Sequence, residues 1–285
     1  GCSSGGIGRQ PRCPRSAPQG AGAMKQVTVV CMKWGTYYGP EYVNRLHAGV
    51  HAHLSRPFRF VCFTDDATGL VPDVEARPLP DTGSPETADT RWRKLALFRP
   101  DLDLSGTVLF LDLDLVVMRS LDDFLEFPGE VCVIRDAELF RPRPSRRLFR
   151  PRREAFYQRV GNTSVFRFQA GAHADLLTRF NRDHEAVVAR YRNEQEYLSD
   201  HLGQQGRLHF WPAGWCASFK HHAVPSGLRS YLADPVCPPQ ARILVFAGRP
   251  KMAEVVAGQG SRWYRRIGPV PWLLAAWRGR QQPGR

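Results

Sequence analysis

The segment TVLFLDLDLVV (Thr107–Val117) sets two aspartates, Asp112 and Asp114, one residue apart in an otherwise apolar run. An ionised carboxylate in such surroundings costs several kcal/mol unless something cationic compensates it. Side chains at i and i+2 of an extended strand share a face, and a slight turn at Asp112 brings both carboxylates towards one ion. Their hard oxygens suit Mg²⁺ or Mn²⁺, either of which can neutralise a departing diphosphate. The blander reading is a strand that ends in two hydrated acids.

Working outward, Val27–Cys31 is a β-branched run of the kind found in a buried parallel strand. Glu41–Leu54 carries Val43, Leu46, Val50 and Leu54 at helical spacing, and Phe58–Asp66 is a second apolar strand ending in Thr64, Asp65 and Asp66. Strand, helix and strand at short range predict a βαβ unit and an α/β fold with a central, mostly parallel sheet. Ligands gather at the carboxyl ends of such strands, here Met32–Trp34, Thr64–Asp66 and Asp112–Asp114. Further on, helices are predicted over Arg91–Phe98, Ala172–Phe180 and Glu194–Leu202, and strands over Ser164–Phe168 and Ile243–Phe246.

With 285 residues, 42% of them hydrophobic, the chain can build one large domain, predicted over residues 24–256 with Met24 as a candidate start. The formal charge of +13 is confined to three stretches that contain no acid: Gly1–Ala23, Arg141–Arg153 and Arg262–Arg285 carry sixteen arginines between them. The remainder is slightly acidic, which argues against a continuous basic face for nucleic acid. Residues 1–23 lack large apolar side chains and are predicted to be a disordered tail. Residues 137–160 show no periodicity and read as a mobile basic insertion, and residues 257–285 as a basic extension. Within that extension Pro271–Arg280 mixes tryptophan, leucine and arginine, which suits either peripheral membrane contact or packing on the domain. Seven cysteines without a CxxC pair, no apolar run of spanning length and no apolar signal core point to a reducing cytosol, with the inner-membrane surface as an alternative site.

Taken in order, KWGTYYGPEYVNRL (Lys33–Leu46), FVCFTDD (Phe60–Asp66), RWRKLALF (Arg91–Phe98), FLDLDLVV (Phe110–Val117), GNTSVFRF (Gly161–Phe168), EQEYLSD (Glu194–Asp200) and VFAGRPK (Val245–Lys251) resemble the nucleotide-sugar glycosyltransferases of the glycogenin and lipopolysaccharide-galactosyltransferase type, in a bacterial form. The resemblance covers Lys25 to Lys251. It implies a single-domain, Rossmann-like A-type glycosyltransferase fold and metal-dependent transfer of a sugar, from a UDP-sugar, to a saccharide, lipid or protein acceptor.

Residue by residue, the resemblance implies that Met32, Lys33, Trp34 and Tyr37 line the base and ribose pocket, with Thr64 and Asp65 facing the base. Asp112 and Asp114, flanking Leu113, hold Mn²⁺ or Mg²⁺. Lys94 lies near the donor phosphates or sugar, Asn162 and Thr163 touch the donor sugar, and Glu194 and Gln195 stand by the reacting carbon. Gly248 and Lys251 meet the diphosphate. Relatives carry a histidine near that glycine as a third metal ligand. Here Val245 and Ala247 occupy the candidate positions, leaving water or the pair His221 and His222 to complete the shell. Each of these side chains also has a plain reading: surface lysine, packing aromatic, turn residue or exposed helix acid.

Two other functions stay in view. DxDx(T/V) after an apolar strand also resembles the nucleophile motif of haloacid-dehalogenase-type phosphatases, with Asp112 as nucleophile; the long leading segment and the lack of a late acidic pair speak against it. The second is nucleic-acid binding through the arginine clusters.

Overall fold

The computed structural model describes residues 1, 26–84, 90–140, 148–149 and 151–278. The predicted disordered tail therefore lies almost wholly outside the described residues, as does the arginine-rich centre of the insertion.

The opening unit follows directly from local sequence. β1 (Val27–Lys33) is buried throughout, α1 (Pro40–His53) buries Val43, Leu46 and Val50, and β2 (Arg59–Thr64) runs parallel to β1 with Thr28 opposite Arg59. Proline at the first turn of α1 fits a helix start, because its missing N–H has no intrahelical partner there.

β3 (Glu75–Arg77) adds to β2, and β4 (Thr107–Leu111) lies parallel to β1 on its other side. With β6 (Val131–Arg135), β7 (Gly161–Gln169) and β8 (Leu208–Phe210) they make a seven-stranded sheet in the order β3-β2-β1-β4-β7-β6-β8. Four of its six pairings are parallel; β7 runs antiparallel to both neighbours. The α/β fold with a central, mostly parallel sheet is thus present. A smaller sheet of β5 (Leu115–Val117), β10 (Ile243–Val245) and β9 (Cys216–Ser218) stands beside it, with β10 in the middle.

The run Thr107–Val117 is not one strand. β4 ends at Leu111, β5 begins at Leu115 in the other sheet, and the aspartates occupy the turn between. Two backbone bonds fix that jump: Asp112 N–H donates to Ser164 O at 2.9 Å on β7, and Phe246 N–H to Asp114 O at 2.9 Å just beyond β10. Arg91–Phe98 is likewise not an α-helix. Its regular part is a 3₁₀ segment, Arg93–Phe98, in which four consecutive residues, Leu95, Ala96, Leu97 and Phe98, are buried, a pattern that the alternating faces of an amphipathic α-helix do not give. Of the run 137–160, Asp136–Leu139 forms a 3₁₀ turn and Pro151–Arg159 a helix.

Buried apolar side chains cover both faces of the large sheet. Val29, Cys31, Leu109 and Leu111 pack towards α1, whereas Val30, Met32, Val108 and Phe110 pack towards Leu95, Phe98, Phe166 and Tyr197. A third cluster includes Phe219, Leu244, Phe246 and the helix Pro271–Trp277. Trp277 is buried there with the Arg45 guanidinium 3.7 Å from its ring centroid, and Trp272 donates to Pro235 O. Of the two readings of this segment, packing on the domain is the one realised for these tryptophans. No helix among the described residues is long and apolar enough to cross a membrane.

Arg167 is a buried charge, 6% exposed, with no acid in salt-bridge distance among the described residues. Its guanidinium donates to the carbonyls of Phe124, Leu125, Phe127 and Gly129, pinning the loop that leads into β6.

Candidate active site

Parallel pairing of β2, β1 and β4 brings their carboxyl ends to one edge. There the loops interlock: Gly35 N–H donates to the Asp65 carboxylate at 2.8 Å and Lys33 Nζ to Asp66 O at 3.1 Å. Thr64 is committed to its own turn, its hydroxyl bonding Asp66 O and Asp66 N. Thr64 and Asp65 shape the rim here, the Thr64 hydroxyl within its own turn and one oxygen of the exposed Asp65 carboxylate on the Gly35 N–H. Met32 is buried in the core, while Trp34 is half-buried beneath Arg93, whose guanidinium carbon lies 4.9 Å from its ring centroid. Tyr37 is the open aromatic of this loop at 68% exposure.

The two aspartates have different neighbours. Lys94, projecting from the 3₁₀ segment, places Nζ 2.9 Å from the Asp112 carboxylate and 3.1 Å from Thr163 O. The Thr163 hydroxyl in turn donates to Glu194 at 2.8 Å. Burial pushes the Asp112 carboxyl above the usual range and Asp114 adds to the rise, with Lys94 pulling it back down. Glu194, at the start of the helix Glu194–Gln204, is raised for the same first reason, burial, and is again opposed by Lys94. Gln195 is half-buried beside it and makes no side-chain hydrogen bond among the described residues.

Asp114 has a second set of partners. Its carboxylate accepts from Lys251 Nζ at 3.2 Å and from the Tyr38 hydroxyl at 3.3 Å, and those two side chains also touch each other. Burial and the Asp114 charge push the Tyr38 phenol well above its ordinary value, which keeps it a donor. Lys251 stands at the N-cap position of the short helix Met252–Val256, where its backbone N–H donates to the Glu254 carboxylate at 2.8 Å, and its ammonium lies over the Tyr37 and Tyr38 rings at 5.2 and 5.0 Å. Gly248 adopts φ +76°, a left-handed backbone that glycine accepts readily. Leu113, between the acids, is buried.

Asn162 turns into β7: its side chain accepts from Ser164 N–H at 3.0 Å and donates to Asp136 at 3.4 Å. Burial raises the Asp136 carboxyl. The structure therefore links Lys94, Asp112, Thr163 and Glu194 in one chain of contacts, and Asp114, Tyr38 and Lys251 in a second. Asp136 is a near-site residue that the sequence reading did not assign, whereas Tyr38 ends the loop from Met32 that the resemblance places against the base and ribose, and is found on Asp114.

No group of three or more His, Cys, Asp or Glu side chains able to hold a metal occurs among the described residues. His222 accepts from Ser218 N–H at 3.0 Å and the His221 ring packs near Phe140, so neither completes a shell with the aspartates. What the turn offers a divalent ion is two hard carboxylates that repel one another, a donor set that fits Mg²⁺ or Mn²⁺ with water filling the remaining positions.

No family model and no curated protein matches the chain. Among solved structures, it superposes on the bifunctional glycosyltransferase WbbM with a TM-score of 0.52 and 14% identity, covering 82% of this chain and 48% of that one. For the glycosyltransferase GlyE of Streptococcus pneumoniae TIGR4 the TM-score is 0.50 with 14% identity, over 80% of this chain and 56% of that one. The chain thus spans about half the length of each. The galactosyltransferase LgtC aligns at 0.49 and 15% identity, over 79% of this chain and 88% of its own. At such identities likeness speaks to architecture, and on that ground the chain has the A-type glycosyltransferase fold.

Proposed function

We propose that this chain is a glycosyltransferase that moves a sugar from a nucleotide-sugar donor, a UDP-sugar, to a saccharide, lipid or protein acceptor. The observation that carries the reading is the pair of acids at the junction of two sheets, each met by a lysine from a different element, with buried Glu194 one hydroxyl away from Lys94. Breaking a sugar–diphosphate bond leaves growing negative charge on the departing oxygen and positive charge on the sugar carbon. Preformed charges aimed at both are the largest catalytic resource available.

Asp112 and Asp114 are the residues that would hold Mn²⁺ or Mg²⁺, and a bound ion supplies neutralisation of the leaving diphosphate. Lys251 stands beside Gly248 and Asp114 to receive phosphate oxygens. Lys94 opposes the rise that burial gives the Asp112 carboxyl and holds the Thr163 carbonyl, and the Thr163 hydroxyl in turn holds Glu194 towards the sugar. Tyr37 offers an open ring for the base. The sequence resemblance to glycogenin-type enzymes would carry retention at the anomeric carbon with it if the chain follows them, with Glu194 and Gln195 beside that carbon.

The test is a thermal-shift screen of nucleotide-sugars with and without Mn²⁺, followed by a donor-hydrolysis assay on Asp114→Asn. A productive donor raises the melting temperature of the wild-type chain, and the variant keeps its fold while losing hydrolysis. If no nucleotide-sugar shifts the transition, or the variant hydrolyses donor at the wild-type rate in EDTA, the reading is wrong.

A further inference from the structure

Ten large apolar side chains are exposed among the described residues, and six of them lie in two short stretches, 228–236 and 263–264. Leu228 and Leu232 stand two positions before and two after the buried Ser230 in and beside the helical turn Arg229–Leu232, and Leu228 itself has helical backbone angles. At about 100° per residue both leucines point away from Ser230, and they are 83% and 87% exposed. Tyr231 joins this turn to the second stretch: its hydroxyl donates to Trp263 O at 2.5 Å, and Arg266 N–H donates to the Ser230 hydroxyl at 3.0 Å. Trp263, 88% exposed, meets Tyr264 edge to face with ring centroids 5.4 Å apart. Solitary exposed apolar residues are ordinary, whereas leucine, tyrosine and tryptophan gathered on linked segments mark a contact surface.

The surroundings are basic. Arg229, Arg262, Arg265 and Arg266 belong to the same two stretches, against one acid, Asp234, which lies 3.8 Å from Arg266. A second copy of the chain docking here about a two-fold axis would set arginine against arginine. The phosphates of a nucleic acid would satisfy the arginines and leave both leucines without an apolar partner. An anionic bilayer meets both demands: leucines enter the acyl boundary, tryptophan and tyrosine settle at the headgroup level, and arginines stay with the phosphates.

We propose that Leu228, Leu232, Tyr231 and Trp263, with the arginines around them, form a docking face for an anionic lipid bilayer. The face is distinct from Pro271–Arg280, whose Trp277 is buried in the domain and whose Trp272 donates to Pro235 O at 3.1 Å, fixing the loop that follows the leucine turn. The turn is thereby held on the third apolar cluster as a preformed surface, with its apolar side chains already outward. Docking of this kind is independent of the chemistry in the crevice, and a chain that transferred no sugar would still bind lipid through it.

Sedimentation of the full chain with vesicles of phosphatidylcholine alone, and of phosphatidylcholine with an equal part of phosphatidylglycerol, tests the face. Wild-type protein is expected on the mixed vesicles and in the supernatant of the neutral ones. Trp263→Ala and the double variant Leu228→Ser/Leu232→Ser should each weaken binding to the mixed vesicles about tenfold or more. Arg229→Glu/Arg262→Glu should do the same by about tenfold or more through charge. Melting temperatures should stay at the wild-type value, since all five side chains are exposed. The proposal is overturned if the wild type does not bind the mixed vesicles. It is overturned too if Trp263→Ala and the leucine variant, still folded, bind them as the wild type does, which would assign the attachment to arginine charge alone. A leucine variant that keeps vesicle binding but loses a dimer in sedimentation velocity, or loses retention of a DNA duplex, overturns it in favour of that other partner.

Discussion

Lys94 Nζ lies 2.9 Å from the Asp112 carboxylate and, in the same position, 3.1 Å from Thr163 O, so one ammonium ties the 3₁₀ segment, the turn between the two sheets and β7 together. The contact is largely screened from water, with 13% of the lysine and 25% of the aspartate side chain exposed.

Lys94→Met removes the cation and leaves the Asp112 carboxylate without its ion-pair partner, beside the like charge of Asp114. Breaking a fully buried pair costs about 3–5 kcal/mol; with the aspartate a quarter exposed, about 2 kcal/mol is expected. Urea denaturation at neutral pH measures it, and a loss below about 0.5 kcal/mol would mean that the pair contributes no more than a surface contact.

Glu194 gives a pH signature. Burial raises its carboxyl in the folded state, so the protonated form is favoured on folding. Its contribution to stability is complete below the ordinary glutamate value of about 4.3 and is lost as pH rises through the raised folded value. Glu194→Gln cannot ionise and should lose less stability than the wild type between pH 4 and pH 8, while sugar transfer falls. Parallel stability profiles for the two proteins would contradict the burial assigned to this acid.

Gly106→Ala tests how β4 is registered. Gly106 has φ +69°, and an added Cβ would stand 2.0 Å from Gln26 O, the acceptor of Thr107 N–H where β1 and β4 begin to pair. Left-handed backbone alone costs a side chain about 1–2 kcal/mol, and the collision forces the strands apart. A loss of at least about 3 kcal/mol is expected in chemical denaturation, together with loss of nucleotide binding because the aspartate turn hangs from β4.

Arg167→Met strips the donors from the carbonyls of Phe124, Leu125, Phe127 and Gly129, and methionine fills the volume without bonding them. About 3 kcal/mol of stability should disappear. Arg167→Lys recovers only part of it, since an ammonium cannot span four acceptors in the plane of a guanidinium. Full recovery by lysine would show that charge, rather than geometry, is what the loop before β6 requires.

Much of the large sheet was legible because its signals are local. Val27–Cys31 is apolar at every position and α1 repeats its apolar residues at helical spacing, so both elements are specified by near neighbours. Asp112 and Asp114 stood out for a related reason: acids inside an apolar run demand a partner, and Lys94 and Lys251 are the partners found. The 3₁₀ form of Arg93–Phe98 was hidden, because helical spacing looks the same until the burial of all four residues Leu95–Phe98 is known.

Composition and spacing alone place two carboxylates where an apolar strand ends, an arrangement that is costly without compensation. Long-range contacts assign β4 and β5 to different sheets and bring Tyr38 and Lys251 together at Asp114. Those outcomes depend on backbone bonds and packing between residues more than a hundred positions apart, such as Asp114 with Phe246, and no pattern within a short window encodes them.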